Sequence, residues 1–352
     1  MRRIALFLPN WVGDAVMATP AIRAVREQWP RAEIIAVGRP YVFNVLENSP
    51  RIDQWLAFDN RGSRAQQLLA VAGRLRDLGI DLALIFPNSF RAALAAWLGR
   101  CRRRVGYARY GRSWLLTDRL QPVRDSRGGI MPSPILPAYN ALAQRAGCLA
   151  PSLKMELFTS PADEAGADDI WRKFRLDDHR EVVCLNPGAA FGAAKLWPAE
   201  SFAKLSRQLA ECRDCGILVL CGPAERDLAR RIVTLTNHPA VHSLADKEVS
   251  IGLSKACIKR CDLLVSTDSG PRHFAAALDR PVVALFGPTH IAWTDTFFPR
   301  EIQLQKKVPC GPCQQRVCHL DHRCMTQLSP DEVFAAAERL LPHRAKEVRH
   351  AG

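Results

Sequence analysis

Short apolar runs alternate with amphipathic segments along most of this 352-residue chain. Each apolar run ends in a turn with glycine, proline or aspartate, which is typical of strands buried on both faces of a sheet. The segments between them repeat apolar residues at helical spacing. Strands separated by helices predict parallel sheets with right-handed crossovers. The predicted strands are IALFLP, EIIAVG, DLALIFP and RRVGY in the first half, and EVVCLNPG, GILVLCGP, CDLLVSTDSG and PVVALFGP in the second.

The alternation occurs in both halves and predicts an α/β protein with two doubly wound domains, as the length of the chain also favours. We place the first domain at residues 1–160 and the second at 161–328. A final helix at 329–352 is predicted to begin with Ser329 as its cap. Near the amino end, Thr19 is predicted to cap a helix that carries Pro20 in its first position.

Two turns far apart in the sequence carry the strongest functional signal. One lies in PNWVGDAVMATPAI and the other in STDSGPRHFAAAL, and each joins a predicted strand to a helix. Ligands of open α/β sheets bind at this end of the strands. Asp14 in the first turn can act as a general base, and the helix start in the second favours an anion. The second turn holds Asp268, Ser269, Gly270 and His273. The alternatives are a loop aspartate that serves its helix, and an ordinary helix cap beside a packed histidine.

A glycine-rich loop, GAAFGAAKLWP, follows the first predicted strand of the second half. No Ser or Thr follows its lysine, so the loop is not a P-loop. No GxGxxG follows the first strand of the chain, which argues against a nicotinamide enzyme. Gly188 and Gly192 let backbone N–H groups approach a diphosphate, and Lys195 adds an ammonium group. The alternative is a surface loop with an ordinary lysine.

The chain is basic, with a formal net charge of +14. A block of arginines lies at positions 100, 102, 103, 104, 109, 112, 119, 124 and 127. Such a block attracts phosphates, carboxylates or an anionic membrane surface. Nucleic-acid binding and a merely solvated surface are the alternatives, and the spacings of zinc fingers and helix-turn-helix motifs are missing.

No apolar stretch approaches the roughly 18 residues that a membrane helix needs. The start, MRRIALFLPNWVGDAVMATPA, imitates a signal peptide, but Pro9, Asn10 and Asp14 interrupt its apolar region. We therefore interpret the start as a first β-strand and expect a cytoplasmic protein.

Four of the twelve cysteines crowd into the segment PCGPCQQRVCHLDHRCM. The four are Cys310, Cys313, Cys318 and Cys324, with His319 and His322 among them. These side chains could hold zinc, but the gaps are tighter than in most zinc ribbons. The alternative is a thiol-rich loop, reduced or partly disulfide-linked, and we predict no metal.

Taken in order, these segments resemble the ADP-heptose:lipopolysaccharide heptosyltransferases of glycosyltransferase family 9. The resemblance covers nearly the whole chain and rests on PNWVGDAVMATPAIRA, PGAAFGAAKLWP, CGPAERD, TDSGPRHFAAAL, FGPT and CGPCQQRVCHLDHRCM. It implies a GT-B fold with two Rossmann-like domains, an active site in the cleft between them and a final helix that returns to the first domain. The first domain would bind the acceptor and the second domain the ADP-heptose.

The resemblance also implies an inverting transfer of heptose from ADP-L-glycero-β-D-manno-heptose to the first heptose of the lipopolysaccharide inner core, with no cofactor required. The acceptor would be heptosyl-Kdo2-lipid A in the inner leaflet. The enzyme would then be a cytoplasmic protein, peripheral at the inner membrane of a Gram-negative-type envelope, and would bind no nucleic acid. Alternatives are a family 9 transferase acting on Kdo-lipid A, a sugar-nucleotide epimerase of similar fold, and a basic zinc- and nucleic-acid-binding protein.

Individual residues match the family's functional positions. Asp14 matches the proposed base, and Lys195 matches the lysine that neutralises the leaving diphosphate. The donor-binding positions correspond to Glu225, Asp268, Ser269, Gly270 and His273. Arg272 stands where related sequences often carry an apolar residue. From the charge of the arginine block, we expect Arg102, Arg103 and Arg104 to bind the anionic acceptor.

Overall fold

The computed structural model describes residues 1–58, 63–124, 126, 129, 131 and 133–341. The chain forms two compact units. The first comprises Met1–Ala165, Ile251–Ala256 and His290–Phe298, and the second comprises Gly166–Ser250, Cys257–Thr289 and Pro299–Gly352. The division in the first part of the chain lies close to the predicted boundary at residue 161, and two short segments of the second half join the first unit.

The first unit is built on a sheet with the strand order β3-β2-β1-β4-β5-β6, in which all neighbouring strands are parallel. The strands are β1 (Arg3–Phe7), β2 (Glu33–Gly38), β3 (Gln54–Ala57), β4 (Leu82–Ile85), β5 (Arg103–Tyr107) and β6 (Asp118–Leu120). The helices are α1 (Val12–Met17), α2 (Thr19–Gln28), α3 (Pro40–Leu46), α4 (Arg64–Leu78), α5 (Phe90–Leu98) and α6 (Ile135–Ala146).

The second sheet has the order β12-β11-β10-β7-β8-β9, again with parallel neighbours. The strands are β7 (Glu181–Asn186), β8 (Cys215–Val219), β9 (Val241–Ser243), β10 (Leu263–Thr267), β11 (Val282–Phe286) and β12 (Glu301–Gln305). The helices of this half are α7 (Pro161–Phe174), α8 (Ala199–Arg213), α9 (Arg226–Thr236), α10 (Ile251–Arg260), α11 (Gly270–Ala277), α12 (Arg323–Thr326) and α13 (Pro330–Leu340). Counted from its own first strand, each sheet has the Rossmann order 3-2-1-4-5-6.

The predicted strands are the interior strands of these two sheets. β1, β2, β4 and β5 and their counterparts β7, β8, β10 and β11 all follow the predicted apolar runs. The strands that the sequence analysis missed are the sheet edges β3, β6, β9 and β12. Interior strands such as β4 and β10 are buried at every residue, whereas all residues of β12 are only half-buried.

The helix ends test the predicted caps. Ser329 accepts a hydrogen bond from the backbone N–H of Glu332 at 3.2 Å and so caps α13 as predicted. The prediction for Thr19 is wrong, because α2 follows α1 directly with Ala18 at the N-cap. The Thr19 hydroxyl instead donates to the carbonyl oxygen of Val16.

The last described helix belongs to the second unit. α13 packs against α8 and against strands β10 and β11. Residues 342–352 lie outside the described part of the chain, so the return of the final segment to the first domain stays a prediction. Among the described residues, no helix is both long and apolar enough to span a bilayer.

Candidate functional site

The predicted donor residues meet at one edge of the second sheet. In this sheet the strand order reverses between β7 and β10, which pair directly, and we call this place the second switch point. Ligands of doubly wound sheets bind at the carboxyl ends of the strands at such a point. The loop with Gly188 and Lys195 follows β7, Glu225 follows β8, and Asp268 follows β10.

Lys195 and Asp268 form a buried ion pair at this switch point. The Lys195 ammonium lies 2.5 Å from Asp268 Oδ2 and donates to the Asp268 carbonyl oxygen at 3.0 Å. Lys195 is 8% exposed and Asp268 is 4% exposed. The ammonium also lies 4.8 Å from the centre of the Phe191 ring. A cation held in a low-dielectric site stabilises negative charge more strongly than one in water.

Two further side chains complete this cluster, and sequence reasoning missed their part in it. Thr289 donates its hydroxyl to Asp268 Oδ2 at 2.7 Å. Arg272 is fully buried and lies 3.5 Å from Asp268 Oδ1 and 2.6 Å from Glu301 Oε1. Burial alone would raise the pKa of Asp268, but Arg272, Lys195 and Thr289 outweigh it and hold the pKa below its usual value. Thr289 is the last residue of the FGPT segment, whereas Glu301 belongs to none of the sequence motifs.

Arg272 therefore occupies a structural position inside the second unit. Its guanidinium spans two carboxylates and lies 4.9 Å from the centre of the Phe286 ring. Two buried cations, Lys195 and Arg272, are matched by two carboxylates, those of Asp268 and Glu301. The attraction between opposite charges offsets the free-energy cost of removing these groups from water.

His273 lies beside Arg272 and is 3% exposed. Burial and the neighbouring guanidinium lower the pKa of the imidazole well below its usual value, so the ring is neutral. Arginine can only donate, so His273 Nε2 accepts from Arg272 at 3.3 Å and the hydrogen lies on Nδ1. Nδ1 is buried and has no partner among the described residues.

The remaining predicted donor residues shape the same edge. Glu225 accepts from the Gly222 backbone N–H at 2.7 Å. A Cβ on residue 188 would lie 2.1 Å from Glu225 Oε1, so any other residue at this position would displace the Glu225 carboxylate. Ser269 occupies the N-cap position of α11, but its hydroxyl accepts from Asn186 Nδ2 at 2.8 Å and does not cap the helix. Gly270 is the first residue of α11.

Asp14 lies in the first unit, in the first turn of α1 and just beyond β1. Its side chain is half-buried, unlike that of Asp268. Burial and the nearby charge of Asp14 raise the pKa of Tyr139, on α6, well above its usual value. A half-buried carboxylate at the carboxyl end of a central strand is placed to accept a proton from a bound ligand.

The arginines predicted to bind the acceptor lie at the amino ends of the strands of the first sheet, whereas Asp14 follows the carboxyl end of β1. In register, Arg103 pairs with Leu82 and Leu82 with Ile4, so Arg103 stands at the amino ends of the strands. Arg103 forms an ion pair with Asp118 at 3.0 Å, and Arg104 donates to carbonyl oxygens. Arg102 is exposed and lies 3.4 Å from Asp81. The structure does not bring these arginines to the edge that carries Asp14.

Arg112, from the same arginine block, is buried. Its guanidinium donates to the carbonyl oxygens of Tyr107, Pro87 and Ser89. Burial lowers its pKa to about 10, with a further contribution from Arg109. Arg112 thus fixes the loop after β4 and is not part of a solvated surface.

The cysteine segment packs against the loop that carries Lys195. His322 Nε2 donates to the Ala194 carbonyl oxygen at 2.8 Å, and Ala194 N donates to that of Arg316 at 3.0 Å. Cys310, Cys313, Cys318 and Cys324 are free thiols. In the described part of the chain, no three His, Cys, Asp or Glu side chains are arranged to hold a metal ion.

Two Rossmann-like domains, each with the strand order 3-2-1-4-5-6, are the arrangement of the GT-B fold. The model of glycosyltransferase family 9 (heptosyltransferase) matches residues 68–323. The chain belongs to glycosyltransferase family 9, and it is a glycosyltransferase.

Several proteins named as heptosyltransferases are similar over nearly their whole length. The chain is 28% identical to lipooligosaccharide heptosyltransferase 2 of Campylobacter jejuni, covering 96% of this chain and 98% of that protein. The structure of Escherichia coli ADP-heptose LPS heptosyltransferase II superposes with a TM-score of 0.76 at 24% identity, covering 97% of this chain and 98% of the other. E. coli heptosyltransferase WaaC with ADP-2-deoxy-2-fluoro heptose gives a TM-score of 0.70 at 17% identity, covering 96% and 99%.

Proposed function

We propose that this protein transfers L-glycero-D-manno-heptose from ADP-heptose to the first heptose of the lipopolysaccharide inner core, with inversion at the anomeric carbon. The observation that carries the proposal is the buried Lys195–Asp268 pair at the second switch point. It supplies a cation where the diphosphate of a nucleotide sugar would bind. The names of the similar proteins support the heptose donor and the lipopolysaccharide acceptor.

On the donor, the bond from the anomeric carbon to the β-phosphate oxygen breaks and ADP leaves. Lys195 and the start of α11 stabilise the charge that develops on the diphosphate. His273 Nδ1 donates to a phosphate oxygen, and Glu225 contacts the ribose or adenine. Asp268 positions the Lys195 ammonium, and Ser269 and Gly270 form the turn around the phosphates. These roles require no cofactor.

On the acceptor, heptosyl-Kdo2-lipid A, Asp14 takes the proton of the attacking hydroxyl. The hydroxyl oxygen forms the new bond to the anomeric carbon on the face opposite the departing ADP, which accounts for inversion. One base suffices because the diphosphate is already a good leaving group. We propose that the enzyme is cytoplasmic and binds peripherally at the inner membrane, where this acceptor is anchored.

The test is the release of ADP from ADP-heptose, with and without heptosyl-Kdo2-lipid A. We expect acceptor-dependent release by the native protein and a loss of about 10²–10⁴-fold in Asp14→Asn. Asp77→Asn, an exposed change on α4, is the matched control.

Equal release by the native protein and Asp14→Asn would keep the transferase but remove Asp14 from the chemistry. Release only with the acceptor that lacks heptose, Kdo2-lipid A, would assign the alternative first transfer. Release of a modified sugar nucleotide without any acceptor would indicate an epimerase. No release with either acceptor would contradict the proposed donor–acceptor pair.

A further inference from the structure

A pocket of about 130 Å³ lies at the carboxyl edge of the first sheet, wholly within the first unit. The end of β2 at Gly38 and the segments that follow β1, β2 and β4 line it, with Leu8, Asn10, Arg39, Ser89 and Arg91 in those segments. The strand order of this sheet reverses between β1 and β4, so the pocket lies at the first switch point. Its volume is well below the roughly 300–1,000 Å³ of a whole-ligand site. It suits one small group of a larger ligand.

Two of the side chains that line this pocket, those of Arg39 and Arg91, are positively charged. Burial and the positive charges of Arg39 and Arg64 lower the pKa of Arg91. The Arg91 guanidinium donates to Gln67 Oε1 at 2.9 Å and lies 4.7 Å from the centre of the Phe58 ring. Neither contact neutralises it. Arg91 Nε is also buried without a hydrogen-bond partner in the part of the chain that the structure describes.

The neutral groups at the pocket also favour an anion. The Ser89 hydroxyl accepts from Ala92 N at 3.3 Å as the N-cap of α5, and its hydrogen can still be donated. The start of this nine-residue helix adds partial positive charge. Arg112 holds the carbonyl oxygens of Pro87 and Ser89, so this wall of the pocket is fixed.

We propose that Arg39 and Arg91 form an anion subsite that binds one carboxylate or phosphate group of an acidic saccharide acceptor. This inference rests on the proposed function and specifies how the acceptor is held. Guanidinium groups bind both anions through paired, charge-assisted hydrogen bonds. The subsite lies at the end of β1 from which the turn with Asp14 continues. It therefore replaces Arg102, Arg103 and Arg104 as the acceptor-binding arginines.

The test is calorimetric binding of the deacylated acceptor saccharide, heptosyl-Kdo2 with its lipid phosphates, to the full-length protein. We expect the Kd to rise about tenfold or more in Arg39→Gln and in Arg91→Gln, because each loses a charge-assisted hydrogen bond. Arg91→Lys should recover part of the affinity. Arg74→Gln, an exposed change on α4 with the same loss of charge, should bind like the native protein. Circular dichroism melting checks that each variant is folded.

Two altered saccharides distinguish whether the subsite binds a phosphate or a carboxylate group. If removal of the phosphates abolishes the difference between native protein and Arg91→Gln, the subsite binds phosphate. If reduction of the Kdo carboxyl groups abolishes it, the subsite binds carboxylate. Unchanged Kd values in both glutamine variants, or a larger effect in Arg102→Gln, would overturn the inference. In turnover assays, these variants should raise the acceptor KM and leave the ADP-heptose KM unchanged. Absence of turnover by the native protein would instead count against the proposed function.

Discussion

The two sheets share one strand order but hold charge differently at their switch points. At the second, Lys195 and Arg272 are buried and matched by Asp268 and Glu301. At the first, Arg39 and Arg91 line a pocket, and the charges that perturb Arg91 are positive. A balanced cluster is stable without a ligand and presents one fixed cation. An unbalanced cluster gains most from binding an anion.

The largest expected effect comes from breaking the balanced cluster. Asp268→Asn leaves two buried cations with one carboxylate, so we expect the free energy of unfolding to fall by about 3–5 kcal/mol. Urea unfolding followed by circular dichroism and by the fluorescence of the eight tryptophans measures it. Asp246→Asn, which breaks the exposed pair with Arg230, should cost less than about 1 kcal/mol. Equal losses in the two variants would show that the cluster is not a special source of stability.

The next effect concerns catalysis at the same switch point. Lys195→Met removes the cation and leaves Arg272 between two buried carboxylates, so its unfolding free energy should also fall, and circular dichroism checks that the variant is folded. We expect the kcat for ADP release to fall about 10²–10³-fold, as when one group that stabilises a developing anion is removed. Lys204→Met, on the exposed pair with Asp331, is the control. A native kcat in Lys195→Met would show that the leaving diphosphate is stabilised elsewhere.

A smaller effect follows from the buried imidazole. The folded pKa of His273 is lowered, so below the unfolded value of about 6.5 the unfolded state binds the extra proton. Stability attributable to His273 is therefore complete above about pH 6.5 and declines as the pH falls, by at most about 1.4 kcal/mol per unit. In His273→Gln the unfolding free energy should lose this part of its slope between about pH 5 and 6.5. An unchanged slope in His273→Gln would contradict this prediction.

The smallest effect is expected at the first switch point. Arg91→Gln removes one of several neighbouring positive charges without leaving a carboxylate unpaired. We expect its unfolding free energy to stay within about 0.5 kcal/mol of the native value, or to rise slightly. A loss of several kcal/mol would mean that Arg91 is a structural cation like Arg272, and that the two switch points are alike.

The interior of both sheets could be predicted from the sequence, but their edges could not. A strand such as β4, buried on both faces, requires a continuous apolar run that is visible in the chain. Edge strands such as β12 are half-buried and pair with only one neighbouring strand. They therefore need no continuous apolar run, and no local pattern identifies them in the sequence. The helix cap at Ser329 was predicted because capping depends on adjacent residues. The cap predicted at Thr19 was wrong because α2 follows α1 directly, with Ala18 at the N-cap.

Only part of the candidate site could likewise be predicted from the sequence. The turns with Asp14 and Asp268 and the Lys195 loop were found because glycine and aspartate after a strand are local signals. That Lys195 reaches Asp268, 73 positions away, depends on β7 pairing with β10. The role of Arg272 required its partner Glu301, which comes from an edge strand.

The sequence by itself determined the two Rossmann-like domains and the residue types at the turns, because buried strands and helix starts impose local patterns. Only the tertiary structure decided which charges are neutralised and which remain available. It buried Arg112 among carbonyl oxygens, paired Arg103 with Asp118, and brought Arg39 and Arg91 to one pocket. The reason is physical: the energy of a charge depends on its burial and its neighbours, and parallel strands bring together neighbours that are distant in sequence.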